Sequence, residues 1–357
     1  MAETFVPSVL IANIVLMTML GAITVAIIRL RSLFAIVMLS GVYSLVSAAW
    51  FQAMDAVDVS FTEAAVGAGV STALMLGAML LTVRKAKPTQ SPLKRWGPLA
   101  VVIATGAVLT YASTDLPAFG DGNSPANSHV GAKYIEATPN DVGTPNIVTA
   151  VLASYRGFDT FGETVVVFAA GVAVILLIGF GERALAASDW SGRKDEDEDI
   201  PEDADDSHLI LRVVAKLLIP IITIFAFYVH FHGEISPGGG FQAGVIFAVA
   251  IMLYALIFGL KAAMRAFPPV WARVGAALGV AIYGATGVVC MLNGGRFLDY
   301  DFIFGPPAGG HHGGHNWPQV TGIIGVEVGV VVAVACVMIT AFYAFAGRVP
   351  EIRDEDW

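Results

Sequence analysis

Charge is scarce in this chain. Asp, Glu, Lys and Arg make up 14% of its 357 residues, against about 25% in a typical soluble domain. With 56% hydrophobic residues and a mean hydropathy of +0.72, that scarcity excludes a water-soluble core and predicts a polytopic membrane protein. Cysteine is scarcer still. Cys290 and Cys336 both fall inside apolar runs, with no spacing for a disulfide framework or a zinc site, and read as small apolar side chains. There is no basic excess either. The net charge is −9, much of it from one acidic loop, so nucleic acid is not expected as a partner. The amino-terminal Met-Ala-Glu-Thr lacks the basic stretch that opens a secretory signal, and the first apolar run is too long for one, so it reads as a retained helix. No phosphate-binding loop, nucleophile elbow, Cys/His metal frame or cofactor fingerprint is present, so neither an enzyme, a cofactor nor a metal centre is expected.

What the chain has in quantity is long apolar runs. Nine of them, at 5–28, 33–52, 60–83, 96–111, 161–180, 209–229, 241–260, 270–292 and 320–345, approach the roughly 20 residues that cross a ~30 Å hydrocarbon layer as a helix. The fourth is the shortest. The expected fold class is therefore all-α, polytopic, with about nine transmembrane helices. Most Lys and Arg fall in alternate loops, leaving only Lys133, Arg156 and Arg296 in the others and Lys216 inside a run. By the positive-inside rule this puts the amino terminus outside and the carboxyl terminus in the cytoplasm. Polar breaks divide the chain into a three-helix module at 1–87, a two-helix module at 95–187, an acidic cytoplasmic linker at 188–207 and a four-helix module at 208–357. The linker holds Asp195-Glu196-Asp197-Glu198-Asp199, whose mutual repulsion keeps it solvated. The outer loop at 115–159 is rich in Pro, Gly, Asn and Thr, with a short helix expected near 147–155.

Ionisable groups inside the runs are the sharpest physical signal, because a charge in hydrocarbon costs at least a few kcal/mol and normally faces protein, a partner or water. Glu63 lies about one turn into the third run. Gly67, four residues on, leaves room for a neighbouring helix. Glu163 opens the fifth run, Lys216 lies about two turns into the sixth, and Glu327 about two turns into the ninth among Gly322, Gly325 and Gly329. Each has a plainer alternative: helix capping for Glu63 and Glu163, snorkelling or simple pairing for Lys216, an inter-helix polar contact for Glu327. Carboxylates facing a shared wet cavity would also suit sodium, a hard cation that prefers oxygen ligands. Arg156 stands beside Asp159 and Glu163, so it pairs locally or with a neighbouring protein of a complex. The cluster His311-His312-Gly313-Gly314-His315 reads as a solvated loop and not as a metal site.

Between the sixth and seventh runs stands His230-Phe231-His232-Gly233-Glu234-Ile235-Ser236-Pro237-Gly238-Gly239-Gly240-Phe241-Gln242-Ala243-Gly244. Pro237 lacks a backbone N–H and the three glycines hold no helix, so one helix ends here and another starts near Phe241. His230 and His232 flank the turn, either as hydrogen-bonded interfacial groups or as proton shuttles.

The pattern His-Gly-x-x-x-Pro-Gly-Gly-Gly-Phe-Gln-x-Gly in this stretch resembles the signature of the MnhB component of Mrp-type sodium/proton antiporters. Asp58-Val59-Ser60-Phe61-Thr62-Glu63-Ala64-Ala65-Val66-Gly67-Ala68-Gly69 is similar to MbhD, a membrane component of related hydrogenases. Asn146-Ile147-Val148-Thr149-Ala150-Val151 and Tyr155-Arg156-Gly157-Phe158-Asp159-Thr160-Phe161-Gly162-Glu163-Thr164 resemble MbhE of those hydrogenases and the carboxyl end of the large A-type antiporter component. The resemblance implies fused MbhD-, MbhE- and MnhB-like modules in the inner (cytoplasmic) membrane, forming one component of a multi-subunit Na+(cation)/H+ antiporter. It implies large antiporter-like subunits and small C, E, F and G subunits as partners, with Na+ and H+ as the ions. The ion-path candidates are Glu63, Glu163, Lys216, Glu327, His230, His232, Asp159 and Arg156, with Pro237, Gly238, Gly239 and Gly240 shaping the path. The alternative is a structural scaffold of a complex I-like or hydrogenase membrane arm with no ion path of its own. A self-sufficient transporter is disfavoured, since no internal repeat is visible.

Overall fold

A backbone crossing hydrocarbon must satisfy its N–H and C=O groups within itself, and for apolar runs of this length the helix is the form that does so. The structure of the protein is a computed structural model and describes residues 2–79, 82, 85–86, 92–118, 120–179, 202–307 and 316–347. The acidic run at 195–199 and the histidine cluster at 311–315 lie outside them. Among the described residues, 9 helices are long and apolar enough to span a membrane: Ser8–Arg29, Leu33–Ala53, Val57–Met79, Trp96–Asp115, Gly157–Ile178, Leu209–His232, Gly240–Phe258, Pro269–Leu292 and Trp317–Ala346. In chain order these are the first to ninth spans.

Local chemistry sets their ends. Ser32 caps the second span, its hydroxyl accepting from the Ala35 N–H, and a proline opens the eighth at its first helical position. The third span is not uniform. About two α-helical turns, Val57–Glu63, pass into a π-helical stretch, Ala64–Ser71, before α-helix resumes at Thr72–Met79. The sixth span stops at the histidine pair and the seventh starts at Gly240, as the Pro-Gly turn requires. Gly239 just before it takes φ +124°, a conformation that side chains rarely adopt.

Two boundaries differ from the sequence reading in a way that matters. The fifth span begins at Gly157, not at Phe161, because Gly157, Phe158 and Asp159 already continue the helix. Glu163 therefore lies six residues inside it, about 9 Å at ~1.5 Å per residue, and does not open it. The outer loop also holds a helix at Ala132–Asp141, hidden in the sequence by Pro139 and the polar composition around it. The short helix expected near 147–155 is present as an α-turn, Ile147–Thr149, running into a π-helical stretch, Ala150–Tyr155.

The ninth span is the axle of the fold. Of its most apolar window, 67% is buried, against 0% for the fourth span. Small residues let its neighbours approach backbone to backbone, the usual basis of helix association where lipid removes the hydrophobic driving force. A side chain at Gly279 of the eighth span would meet the backbone of Gly329 and Ala333. One at Gly240 or Gly244 of the seventh would meet the carbonyls of Glu327 or Val331. The fifth span places Gly171 on Val337, and the third places Gly77 near Phe345. Two buried tyrosines tie the loops to this core: Tyr283 donates to the Gly157 carbonyl (2.7 Å) and Tyr300 to the Ala153 carbonyl (2.8 Å).

Candidate functional site

The turn between the sixth and seventh spans leaves helix-end carbonyls in need of donors. The motif at 146–149 supplies them. The Asn146 side-chain amide donates to the Gly233 and Ser236 carbonyls, both at 3.1 Å, and its backbone N–H donates to that of Glu234 at 3.0 Å. Thr149 donates to Gly233 O at 2.7 Å. The Asn146 side-chain oxygen at the same time accepts from the N–H groups of Val148 and Thr149, capping its own helix. One residue thus locks the outer loop to the Pro-Gly turn. Replacing Asn146 by alanine removes a cap and leaves the Ser236 carbonyl without that donor. It is expected to destabilise the fold by about 1–3 kcal/mol. Asn146→Asp, which keeps the cap but sets an acceptor oxygen against the Gly233 and Ser236 carbonyls, should cost at least as much. Thermal denaturation of the purified membrane protein, read by tryptophan fluorescence, measures both.

Behind the clamped turn lies a cavity of about 340 Å³. Each of the three stretches that carry motifs contributes to it: Asp58 and Thr62 from the third span, Glu163 from the fifth, and Gln242, Tyr283 and Glu327 from the seventh, eighth and ninth. Gly238, Gly239 and Gly240 form part of its wall. Three carboxylates thus share one space, and among the described residues no Lys, Arg or His lines it. Glu327 is 8% exposed. A Cβ on Gly239 would stand 3.1 Å from Glu327 Oε1 and 3.6 Å from Gln242 Oε1, so the bare glycine is what leaves that space open. Glu234, in the turn, is within Coulombic reach of Glu327. Its Oε1 is buried without a hydrogen-bond partner, and burial pushes its carboxyl above the usual carboxylate range.

The other sequence candidates lie elsewhere. The Glu63 carboxylate folds over Gly67, where Ser44 of the second span also packs. Lys216 is exposed on the sixth span and does not line the cavity. His230 is 6% exposed with Nδ1 unpartnered, while the His232 ring stacks on Tyr228 at 4.8 Å; neither lines the cavity. Arg156 pairs with Asp159 at 2.6 Å in an exposed bridge, the local alternative. Pro237 lines a second recess, of about 290 Å³, on another side of the third span with Ser60 and Phe61. Thr62, Gln242, Asn146 and Asp58 stand within the quoted motifs, but a search for charges deep inside apolar runs passes over neutral amides, hydroxyls and a carboxylate at a run's edge.

Residues 210–340 match the family of domains related to the MnhB subunit of Na+/H+ antiporters. The putative antiporter protein mnhB2 of Staphylococcus aureus (strain MRSA252) is 31% identical over 143 residues, which cover 96% of that protein and 40% of this chain. The chain belongs to the MnhB family. Ahead of its MnhB part, residues 18–84 match the MbhD family, the D component of MBH, and residues 93–184 the MbhE family, its E component. A longer relative shares more of this MnhB-family chain. The probable A/B component of a K(+)/H(+) antiporter of Rhizobium meliloti (strain 1021) is 25% identical over 295 residues, or 77% of the chain, which spans 28% of that relative's length. In the structure of the Mrp complex from Dietzia sp. DQ12-45-1b, one chain matches 99% of this one with a TM-score of 0.72 and 27% identity. The match spans 38% of that chain. The MnhB-family chain is thus a multi-pass, all-helical membrane protein that corresponds to part of a larger one.

Proposed function

We propose that the chain is a membrane component of a multi-subunit cation/proton antiporter of the Mrp type, and that its cavity forms part of the ion path. One observation carries this reading: three carboxylates share a cavity among membrane spans, and among the described residues no basic side chain lines it. Glu163 and Glu327 lie well inside their spans, where a carboxylate is costly unless a counter-charge is near. Here it would come from a cation entering from water or from an ammonium or guanidinium group of a neighbouring protein in the complex. Such neighbours would be the large antiporter-like subunits and the small C, E, F and G subunits, in the cytoplasmic membrane, with this chain's amino terminus outside and its carboxyl terminus inside. Within the chain the division into MbhD-, MbhE- and MnhB-like modules at 1–87, 95–187 and 208–357 follows the polar breaks in its sequence. The coupled cation would be Na+ or another monovalent ion. A transporter component of this kind is not an enzyme.

A second reading, scaffolding without conduction, draws on the fourth span, whose apolar window has 0% of its residues buried and so offers a whole helix to lipid or partners. Everted vesicles test whether the chain is needed for exchange, and loss of exchange in Glu327→Gln at equal amounts of assembled complex then separates conduction from scaffolding. Vesicles from the host lacking this gene are expected to show no collapse of a respiration-generated pH gradient on adding NaCl or KCl, and a plasmid copy should restore it. Vesicles of purified chain alone should exchange nothing. Cation-driven proton movement that persists without the chain would defeat the conducting reading.

A further inference from the structure

The geometry points to a binding site for a dehydrating monovalent cation between the Glu327 carboxylate and the Gln242 side-chain oxygen. This deepens the proposed function and rests on the chain's being part of a cation path. The first step is the direction of the Gln242 amide. Thr62 Oγ1 donates its one hydroxyl hydrogen to the Asp58 backbone carbonyl at 2.8 Å. It can then only accept from Gln242, whose Nε2 stands 2.8 Å away. The two bonds fix which end of the amide is nitrogen, a choice that hydrogen-bond networks decide. Gln242 is 9% exposed, so its oxygen is turned into the interior and not to bulk solvent.

That oxygen and the Glu327 carboxylate border one space. A point beside the Gly239 Cα lies 3.1 Å from Glu327 Oε1 and 3.6 Å from Gln242 Oε1. Both groups are acceptors. Two buried acceptors facing one space are unfavourable unless a proton or another cation lies between them, since each would otherwise forfeit the full cost of desolvation, and a path that exchanges protons for cations would fill the space with each in turn. A hard monovalent cation suits the pair. One charged and one neutral oxygen are the ligand types such an ion prefers, and the adjoining 340 Å³ cavity has room for water to complete its shell. The positive φ of Gly239, +124°, is what keeps a side chain out of that space. Thr62 acts through Gln242 as a positioning residue, by setting which atom faces the ion.

Dicyclohexylcarbodiimide, which modifies carboxyls in apolar surroundings, tests this in the purified complex that carries the chain. Mass spectrometry of the peptide containing residue 327 reads the adduct; Glu327→Gln is the blank. NaCl or KCl is expected to protect Glu327 at least about tenfold better than choline chloride, and the better of the two names the ion. Gln242→Leu and Thr62→Val should still be labelled without added salt but should need at least about tenfold more cation for half protection. Gln242→Glu, which keeps an oxygen there, should stay protected and so separates ligand loss from misfolding. Equal protection by all three salts, or protection unaffected by Gln242→Leu and Thr62→Val, would overturn the site. Loss of transport in Glu327→Gln without cation-specific protection would reject the site and leave the transport function standing. Protection with transport intact in Glu327→Gln would keep the site and reject its place on the path.

Discussion

Everted vesicles carrying Glu327→Gln are expected to retain less than about a tenth of the cation-driven proton movement of the native complex, at equal amounts of assembled protein. The substitution changes almost nothing but charge. Glutamine has the shape of glutamate, and the ninth span around it is held by small residues whose packing the change does not touch. What goes is, among the described residues, the one carboxylate that is both more than nine-tenths buried and on the wall of the cavity, at 8% exposure. An ion that loses a charged ligand in a site of low dielectric loses more than the ~1.4 kcal/mol that a tenfold change requires. Glu327→Asp keeps the charge on a shorter arm and should recover part of the rate. Quenching of a pH-sensitive dye, with the complex quantified by immunoblot, measures the series. Exchange above half the native rate in Glu327→Gln would show that ions pass elsewhere and that the buried carboxylate only fastens helices.

Glu327 was within reach of the sequence because charge inside a long apolar run has few innocent explanations. The same reasoning delivered the spans, since length and hydropathy are properties of the segment itself. It gave less for the surroundings of the site. That Glu163 and Glu327 line one cavity while Glu63 lies over Gly67 depends on how separate helices rotate against each other, and no local pattern records that rotation. Lys216 shows the same limit from the other side: its depth in the sixth run was legible, its exposed direction was not. The Asn146 clamp joins residues about 90 positions apart in the chain, so asparagine before a short helix reads from sequence as a cap and no more. Gln242 stood in plain view within the Pro-Gly motif, yet its use appears only once Thr62 of another span is seen to fix its amide. The pairing of Arg156 with Asp159 needed no such distant information, because the two are three residues apart.

Gly279→Val is expected to cut the amount of correctly assembled protein to less than about a fifth, read by fluorescence-detected size exclusion of detergent extracts. An added Cβ at Gly279 would stand 2.5 Å from Gly329 O and 2.7 Å from Ala333 Cα, and against the Ala333 nitrogen. These are backbone atoms, so no rotamer change relieves the overlap, and the eighth and ninth spans must part. Overpacking inside a well-packed core already costs about 1–3 kcal/mol. The cost is felt more fully here, since close van der Waals contact is a main source of helix association in lipid. Gly284→Ala is the internal control. It lies on the same span, but its Cβ would meet only the Phe161 ring, at an ordinary 3.7 Å, and should leave yield unchanged. The milder Gly279→Ala links packing to function. Gly329 is two residues from Glu327, so pushing the ninth span outward displaces the carboxylate from the space beside Gly239. Transport per assembled complex should then fall several-fold even where yield is only modestly reduced. Native yield and native exchange in Gly279→Val would mean that the two backbones do not touch at Gly279, and the position assigned to Glu327 would fall with that contact.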